Sequence, residues 1–251
     1  MTYKLIKKAL YLCYPTFRCE GTEHLPTDEP VIIVANHCQM HGPLACELYF
    51  PINRYTWCAG EMMDRKEVPA YSYRDFWSYK PRYIRWLFKL LSYLITPLCV
   101  CLFNNAQTIG VYHDTRLIST FRRTVQLLQE GTGVVIFPEH DVPRNHIIYE
   151  FQDKFIDIAK LYFKRTGKEL SFVPMYISPE LKKMVFGAPI RFDPTSPMEE
   201  ERKRICAYLM DTVTELGCSQ PRHRVIPYRN VARKHYLSNI PKEGVYEKNR
   251  R

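Results

Sequence analysis

The chain has 251 residues, 46% of them hydrophobic, a formal net charge of +10 and a pI near 9.1. This excludes a fibrous or disordered chain and supplies apolar material for one sizeable domain. The excess of base points to an anionic partner: nucleic acid, a membrane surface or a phosphorylated substrate.

The first residues, MTYKLIKKALYLCYPTF, mix lysines into an apolar run and carry no small-residue cleavage site, so no secretory signal is expected. Leu5, Ile6, Ala9, Leu10 and Leu12 share one helical face and Lys4, Lys7 and Lys8 the other. That pattern fits a basic amphipathic helix at a membrane interface, or a first helix packed on the core. Val31–Ala35 is a short apolar run bounded by Asp28, Glu29 and Pro30, which predicts a buried strand; Asn36 and His37 follow it directly. A helix is expected over Leu44–Tyr49 and a second strand over Tyr55–Ala59. Trp86–Phe103 nears membrane-spanning length, but Lys89 and Pro97 interrupt it, which favours a buried or interfacial hairpin-like segment over a transmembrane helix.

Thr108–Tyr112 reads as a third strand, ending in His113, Asp114, Thr115 and Arg116. Leu117–Glu130 has helical spacing, with Gly131 as its stop. Gly133–Phe137 is a fourth strand, emptying into Pro138, Glu139, His140 and Asp141. A helix over Phe151–Phe163, strands over Ser171–Ile177 and Met184–Ile190, and a helix over Glu199–Leu216 complete the pattern. Strands alternating with helices predict an α/β fold with a largely parallel sheet. From Pro221 onward nine basic residues face only Glu243 and Glu247, so most of the charge lies in a C-terminal stretch suited to a solvated tail or to anionic lipid. Tyr228, Tyr236 and Tyr246 interleave with those charges, yet no nucleic-acid motif accompanies them and no nucleic-acid partner is expected. The nine scattered cysteines form no CxxC pair and read as reduced thiols in a cytosolic protein.

Polar residues therefore follow three strands: Asn36 and His37; His113 and Arg116; Glu139, His140 and Asp141. Parallel strands bring such ends to one edge, where open α/β sheets place their sites. In order and spacing these blocks resemble the glycerolipid acyltransferase family that includes the bacterial 1-acyl-glycerol-3-phosphate acyltransferases. Asn36 and His37 match that family's NHxxxxD, with Gly42 at the aspartate position. Gly110 and Arg116 match GxxFxxR, with His113 in place of the aromatic residue. Phe137, Pro138 and Glu139 match the start of FPEGTRS, after which His140, Asp141, Val142 and Pro143 depart. Phe172–Met175 resembles the fourth block, and the likeness runs from about Glu20 to Ile190.

The resemblance implies a single-domain, glycerol-3-phosphate acyltransferase-like α/β fold, its largely parallel sheet flanked by helices. The basic N-terminal helix would span residues 1–19, the acyltransferase-like domain 20–217 and the basic extension 218–251. It implies transfer of a fatty acyl group from acyl-CoA or acyl carrier protein to a lysophosphatidate-like acceptor, with no other cofactor, by a protein peripheral to the cytoplasmic face of the cell membrane. His37 would be the base, since an imidazole can take a hydroxyl proton near neutrality. Asn36, Gly110, His113, Arg116, Glu139 and His140 would bind substrate, with Arg116 on the phosphate and Glu139 on the glycerol hydroxyls.

Gly42 cannot supply the carboxylate that orients such a base. Three readings stay open: Asp141 or Glu139 reaches His37 from the neighbouring strand end; His41 takes part, making another base or a metal site; or the chain binds lipid without catalysis. Asp141 is expected to complete the pair. The metal reading rests on His37 and His41 four apart, with His140, Asp141 and His146 nearby, and would make a metal-dependent hydrolase. Against it, Cys38 stands where a metalloprotease has its glutamate, and Gly42-Pro43 argues against a continuous helix.

Overall fold

The computed structural model describes residues 2–78 and 80–240. In chain order the elements are α1 (Thr2–Cys13), β1 (Arg18–Glu20), β2 (Val31–Ala35), α2 (His41–Tyr49), β3 (Arg54–Ala59), α3 (Val68–Ser72), α4 (Arg85–Asn105), β4 (Thr108–Val111), α5 (Leu117–Gln129), β5 (Gly133–Ile136), β6 (Glu139–Pro143), β7 (Tyr149–Phe151), α6 (Asp157–Thr166), β8 (Ser171–Ser178), β9 (Lys183–Phe186), β10 (Ile190–Arg191) and α7 (Met198–Cys218). They belong to an α/β fold with a mixed, mostly parallel sheet and flanking helices. Two compact units emerge: one from the described residues up to Pro15 with Asn53–Val134, the other from Thr16–Ile52 with the chain from Val135 onward.

In the second unit the strands run in the order β1-β9-β8-β2, with β10 also on β8. Strands β2 and β8 pair in parallel from Val31 opposite Ser171 to Ala35 opposite Met175, and both are buried along their whole length. That double burial explains why VIIVA is continuously apolar rather than alternating. Helix α7 covers β8, turning Ile205, Leu209 and Val213 inward. Its acidic first turn, Glu199, Glu200 and Glu201, complements the positive end of the helix dipole.

In the first unit β3 and β4 pair in parallel, and α5 packs on β4. The Trp57 indole N–H donates to Thr124 Oγ1 at 3.0 Å, and its ring stacks on Phe121. Helix α4 differs from the expected hairpin: it runs unbroken through Pro97. Proline removes one backbone donor, and the hydroxyls of Ser92 and Thr96 add bonds to the carbonyls of Lys89 and Ser92 in the preceding turns. Among the described residues it is the one helix long and apolar enough to cross a membrane.

Two further departures follow. Phe151, expected to open a helix over Phe151–Phe163, instead ends β7, which pairs antiparallel with β6, and α6 begins only at Asp157. Residues 221–240 fold back onto the second unit. His223 and Asn239 are buried there, Asn239 Oδ1 accepts from the His223 N–H at 2.9 Å, and the Val225 N–H donates to Leu237 O at 2.8 Å. Lys242, Tyr246, Lys248, Arg250 and Arg251 lie outside the described residues.

Candidate active site

Strand β2 ends at Ala35, and the Asn36 side chain continues its ladder. Its Oδ1 accepts from the Ile177 N–H at 2.7 Å and its Nδ2 donates to Ile177 O at 3.1 Å. A buried amide that matches both groups of one residue leaves few polar atoms unpaired, which makes Asn36 a fastener between β2 and β8. The chain then turns through two residues in the left-handed region, Cys38 at φ 49° and Gln39 at φ 56°. Each adds roughly 1 kcal/mol of strain for a side chain larger than glycine. The Cys38 Sγ, 2.9 Å from Asn36 Nδ2 and 3.2 Å from Ile177 O, helps hold that turn. Burial, with Glu139 and Cys46 nearby, keeps its thiol pKa well above the ordinary range, so it remains a donor.

This turn presents His37. Its ring meets Phe137 edge-on at 5.2 Å and Tyr228 edge-on at 5.7 Å. Its Nδ1 is buried without a hydrogen bond, while the residue as a whole keeps part of its surface open. Burial among these rings lowers the imidazole to about 4, and the Gln39 backbone offsets part of that without reaching hydrogen-bond geometry. His37 is therefore a neutral imidazole at physiological pH, able to accept a proton but with no carboxylate behind it.

Glu139, 4% exposed, gives both oxygens to backbone donors: Oε2 to the His37 N–H at 2.6 Å and Oε1 to the Tyr149 N–H at 2.8 Å. Burial raises its pKa to about 7, and these two bonds oppose the rise. It ties the histidine's own peptide to β7. Asp141 does not reach the imidazole. A register shift between Glu139 and Pro143 turns it outward, where Oδ1 accepts from Arg229 Nε at 2.9 Å and the side chain is 70% exposed.

Gly42 has a structural reason to lack a side chain. Its N–H donates to His37 O at 3.2 Å as α2 begins, and a Cβ there would lie 2.4 Å from that oxygen and 3.1 Å from the Phe137 ring. Because α2 starts at His41, His37 and His41 do not share a helix, and the zinc spacing fails. His146 Nε2 lies 2.9 Å from Asn239 O, and among the described residues no group of three His, Cys, Asp or Glu could hold a metal. His140, half-exposed, lines an open cleft of about 550 Å³ with Phe151, Lys154, Arg202 and Met210.

The other predicted residues belong to the first unit. Gly110 permits a close approach, since a Cβ would sit 3.0 Å from Met63 Sδ and 3.2 Å from Gly60 Cα. Arg116 lies over the Tyr112 ring at 3.9 Å, holds Asp114 at 2.8 Å and reaches Glu67 at 3.4 Å, with its side chain 45% exposed. Its backbone N–H also donates to Asp114 Oδ1, which orders the turn into α5. His113 is exposed beside it. Sequence reasoning missed Phe137, Tyr228 and Gln39 as neighbours of His37, although Phe137 stands in the matched FPE block and Tyr228 among the aromatic residues of the basic stretch.

No family model and no curated protein matches this sequence. Among solved structures, the 1-acyl-sn-glycerophosphate (LPA) acyltransferase PlsC from Thermotoga maritima resembles it, with a TM-score of 0.51 and 16% identity, over 88% of this chain and 80% of that one. The likeness is one of fold. It agrees with the α/β architecture expected from the alternation of strands and helices, and leaves the role of each residue to the site itself.

Proposed function

We propose that this protein is an O-acyltransferase acting on glycerolipids, with His37 as its general base. The observation that carries the reading is the placement of a neutral imidazole at the carboxyl end of buried β2, lined by aromatic rings and partly open. The acceptor's hydroxyl proton passes to the imidazole as the oxygen attacks the thioester carbonyl. Collapse of the tetrahedral adduct then breaks the C–S bond, and the thiolate leaves with that proton. The donor is acyl-CoA or acyl carrier protein and the acceptor a lysophosphatidate-like lipid. With Nδ1 unpaired, the imidazolium gains little protein stabilisation until an anionic acceptor lies beside it, since a nearby negative charge favours the charged form.

The reading extends to an anionic membrane surface on the cytoplasmic side. On α4, Trp86, Leu90, Tyr93 and Leu94 are all at least half exposed, and α1, in contact with α4, adds exposed Leu5 and Leu12. Basic residues flank this apolar face at Lys80, Arg82 and Arg85, which suits the headgroup level. The alternative, a lipid-binding relative without catalysis, is favoured by the unpaired Nδ1 and by Gly42. The two part in one assay, acyl transfer from acyl-CoA to lysophosphatidate by wild type and His37→Ala. General-base catalysis predicts a loss of about 10²-fold or more in the variant. Transfer that is absent from both, or equal in both, removes the enzymatic reading for that substrate pair.

A further inference from the structure

Within the second unit, residues 226–238 form a strap over His37. Its ends are fixed, at one side by buried His223 and Val225 and at the other by Asn239, whose Nδ2 donates to Gly217 O and Gln220 O at 3.0 Å each. Most side chains between those ends are exposed. The middle is held by Tyr228, whose ring meets His37 and Tyr149, and by Arg229. Arg229 donates from Nε to Asp141 Oδ1 and from Nη2 to Asp141 O, each at 2.9 Å, and its carbonyl accepts from Gln39 Nε2 at 3.0 Å.

Two features make Arg229 more than a fastener. Its pair with Asp141 is 51% and 70% exposed, a setting in which an ion pair is weak and exchangeable. And the segment it reaches, His140 to Pro143, has Val142 where the similar FPEGTRS block has arginine, so the strap supplies a guanidinium to a strand end that lacks one. A guanidinium fork fits the oxygens of a phosphate in a bidentate pair.

We propose that Arg229 is the residue by which this site recognises its acceptor: a phosphate monoester displaces Asp141 from the guanidinium, and the strap carries that guanidinium, beside Tyr228, to the open side of His37. The inference rests on the reading of the site as glycerolipid-binding, and names the charged group that the lipid must carry.

Isothermal titration of the full chain tests it, with hexanoyl-lysophosphatidate, uncharged hexanoylglycerol and inorganic phosphate as ligands, on wild type, Arg229→Ala, Arg229→Lys and Asp141→Asn. Wild type is expected to prefer the phosphate-bearing lipid, and Arg229→Ala to weaken that ligand about tenfold or more, with the uncharged lipid unaffected. Arg229→Lys, which keeps charge but loses the fork, falls between, and Asp141→Asn binds as tightly as wild type or more so. Competition by inorganic phosphate assigns recognition to the phosphate group itself; lipid binding that needs Arg229 but resists phosphate assigns it to the whole headgroup. No preference for the phosphate-bearing lipid, or unchanged affinity in Arg229→Ala, overturns the proposal. So does equal weakening by Arg229→Lys and Asp141→Asn, the signature of a purely structural ion pair. Arg229-dependent binding without acyl transfer would instead overturn the enzymatic reading and leave Arg229 assigned.

Discussion

Replacing Gly42 by alanine is expected to destabilise the protein, and replacing it by aspartate to fail to restore an oriented base. The added Cβ would stand 2.4 Å from His37 O, inside the 3.0 Å that real Cβ atoms keep, and 3.1 Å from the Phe137 ring. The obstructing atom is backbone, so no rotamer change relieves it; the first turn of α2 must move away, stretching the Gly42 N–H bond to His37 O. Overpacking of this kind costs about 3 kcal/mol, at the upper end of its usual range. In a chain of this size that lowers Tm by roughly 6–12 °C. Thermal and urea unfolding of Gly42→Ala measure it. A variant within about 0.5 kcal/mol of wild type would refute the packing argument, as that is the scatter of inconsequential surface changes. So would a Gly42→Asp variant that is stable and gains acyl transfer.

Other outcomes follow from the same geometry. Glu139 stands at about 7 in the fold against an ordinary 4.5, so the native state keeps its proton where the unfolded chain has lost it; stability falls as pH rises through that window, by up to about 3 kcal/mol. His37, at about 4 against 6.5, acts in the opposite sense: the unfolded chain takes the proton first, and stability falls as pH drops from 6.5 to 4. In urea midpoints between about pH 4 and 8, Glu139→Gln should remove the first slope and His37→Phe the second; three parallel profiles would count against both assignments. On α4, Leu90→Glu with Leu94→Glu should reduce co-sedimentation with anionic vesicles while leaving stability within about 0.5 kcal/mol, because both side chains are exposed. Undiminished sedimentation would remove α4 from the membrane surface.

The elements that could be read from sequence were those whose pattern is set by burial on a regular lattice. VIIVA at β2, the helical spacing of α5 and the acidic start of α7 each carry their own signal, and each was found within a few residues of its expected place. Three-residue strands such as β1 and β7 carry too few side chains for a period to show, and the helix expected over Phe151–Phe163 starts inside β7 for that reason. At the site, Asn36, His37 and Glu139 were legible as a cluster, but their division of labour was not. Asn36 matches Ile177 across the sheet, Glu139 spends both oxygens on backbone N–H groups, and Asp141 is turned outward by a register shift. None of these bonds has a sequence signature, because each depends on which backbone group a fold places opposite. The left-handed turn at Cys38 and Gln39 was equally hidden, since neither residue type announces a positive φ.

The pH dependence of kcat/KM for acyl transfer tests the central claim most directly, because it reports the ionisation of the base in the free enzyme. With His37 buried among aromatic rings and its Nδ1 unpaired, the acid limb should fall near pH 4 and vanish in His37→Ala. A limb at the ordinary histidine value of about 6.5, or one that survives in His37→Ala, would contradict the account.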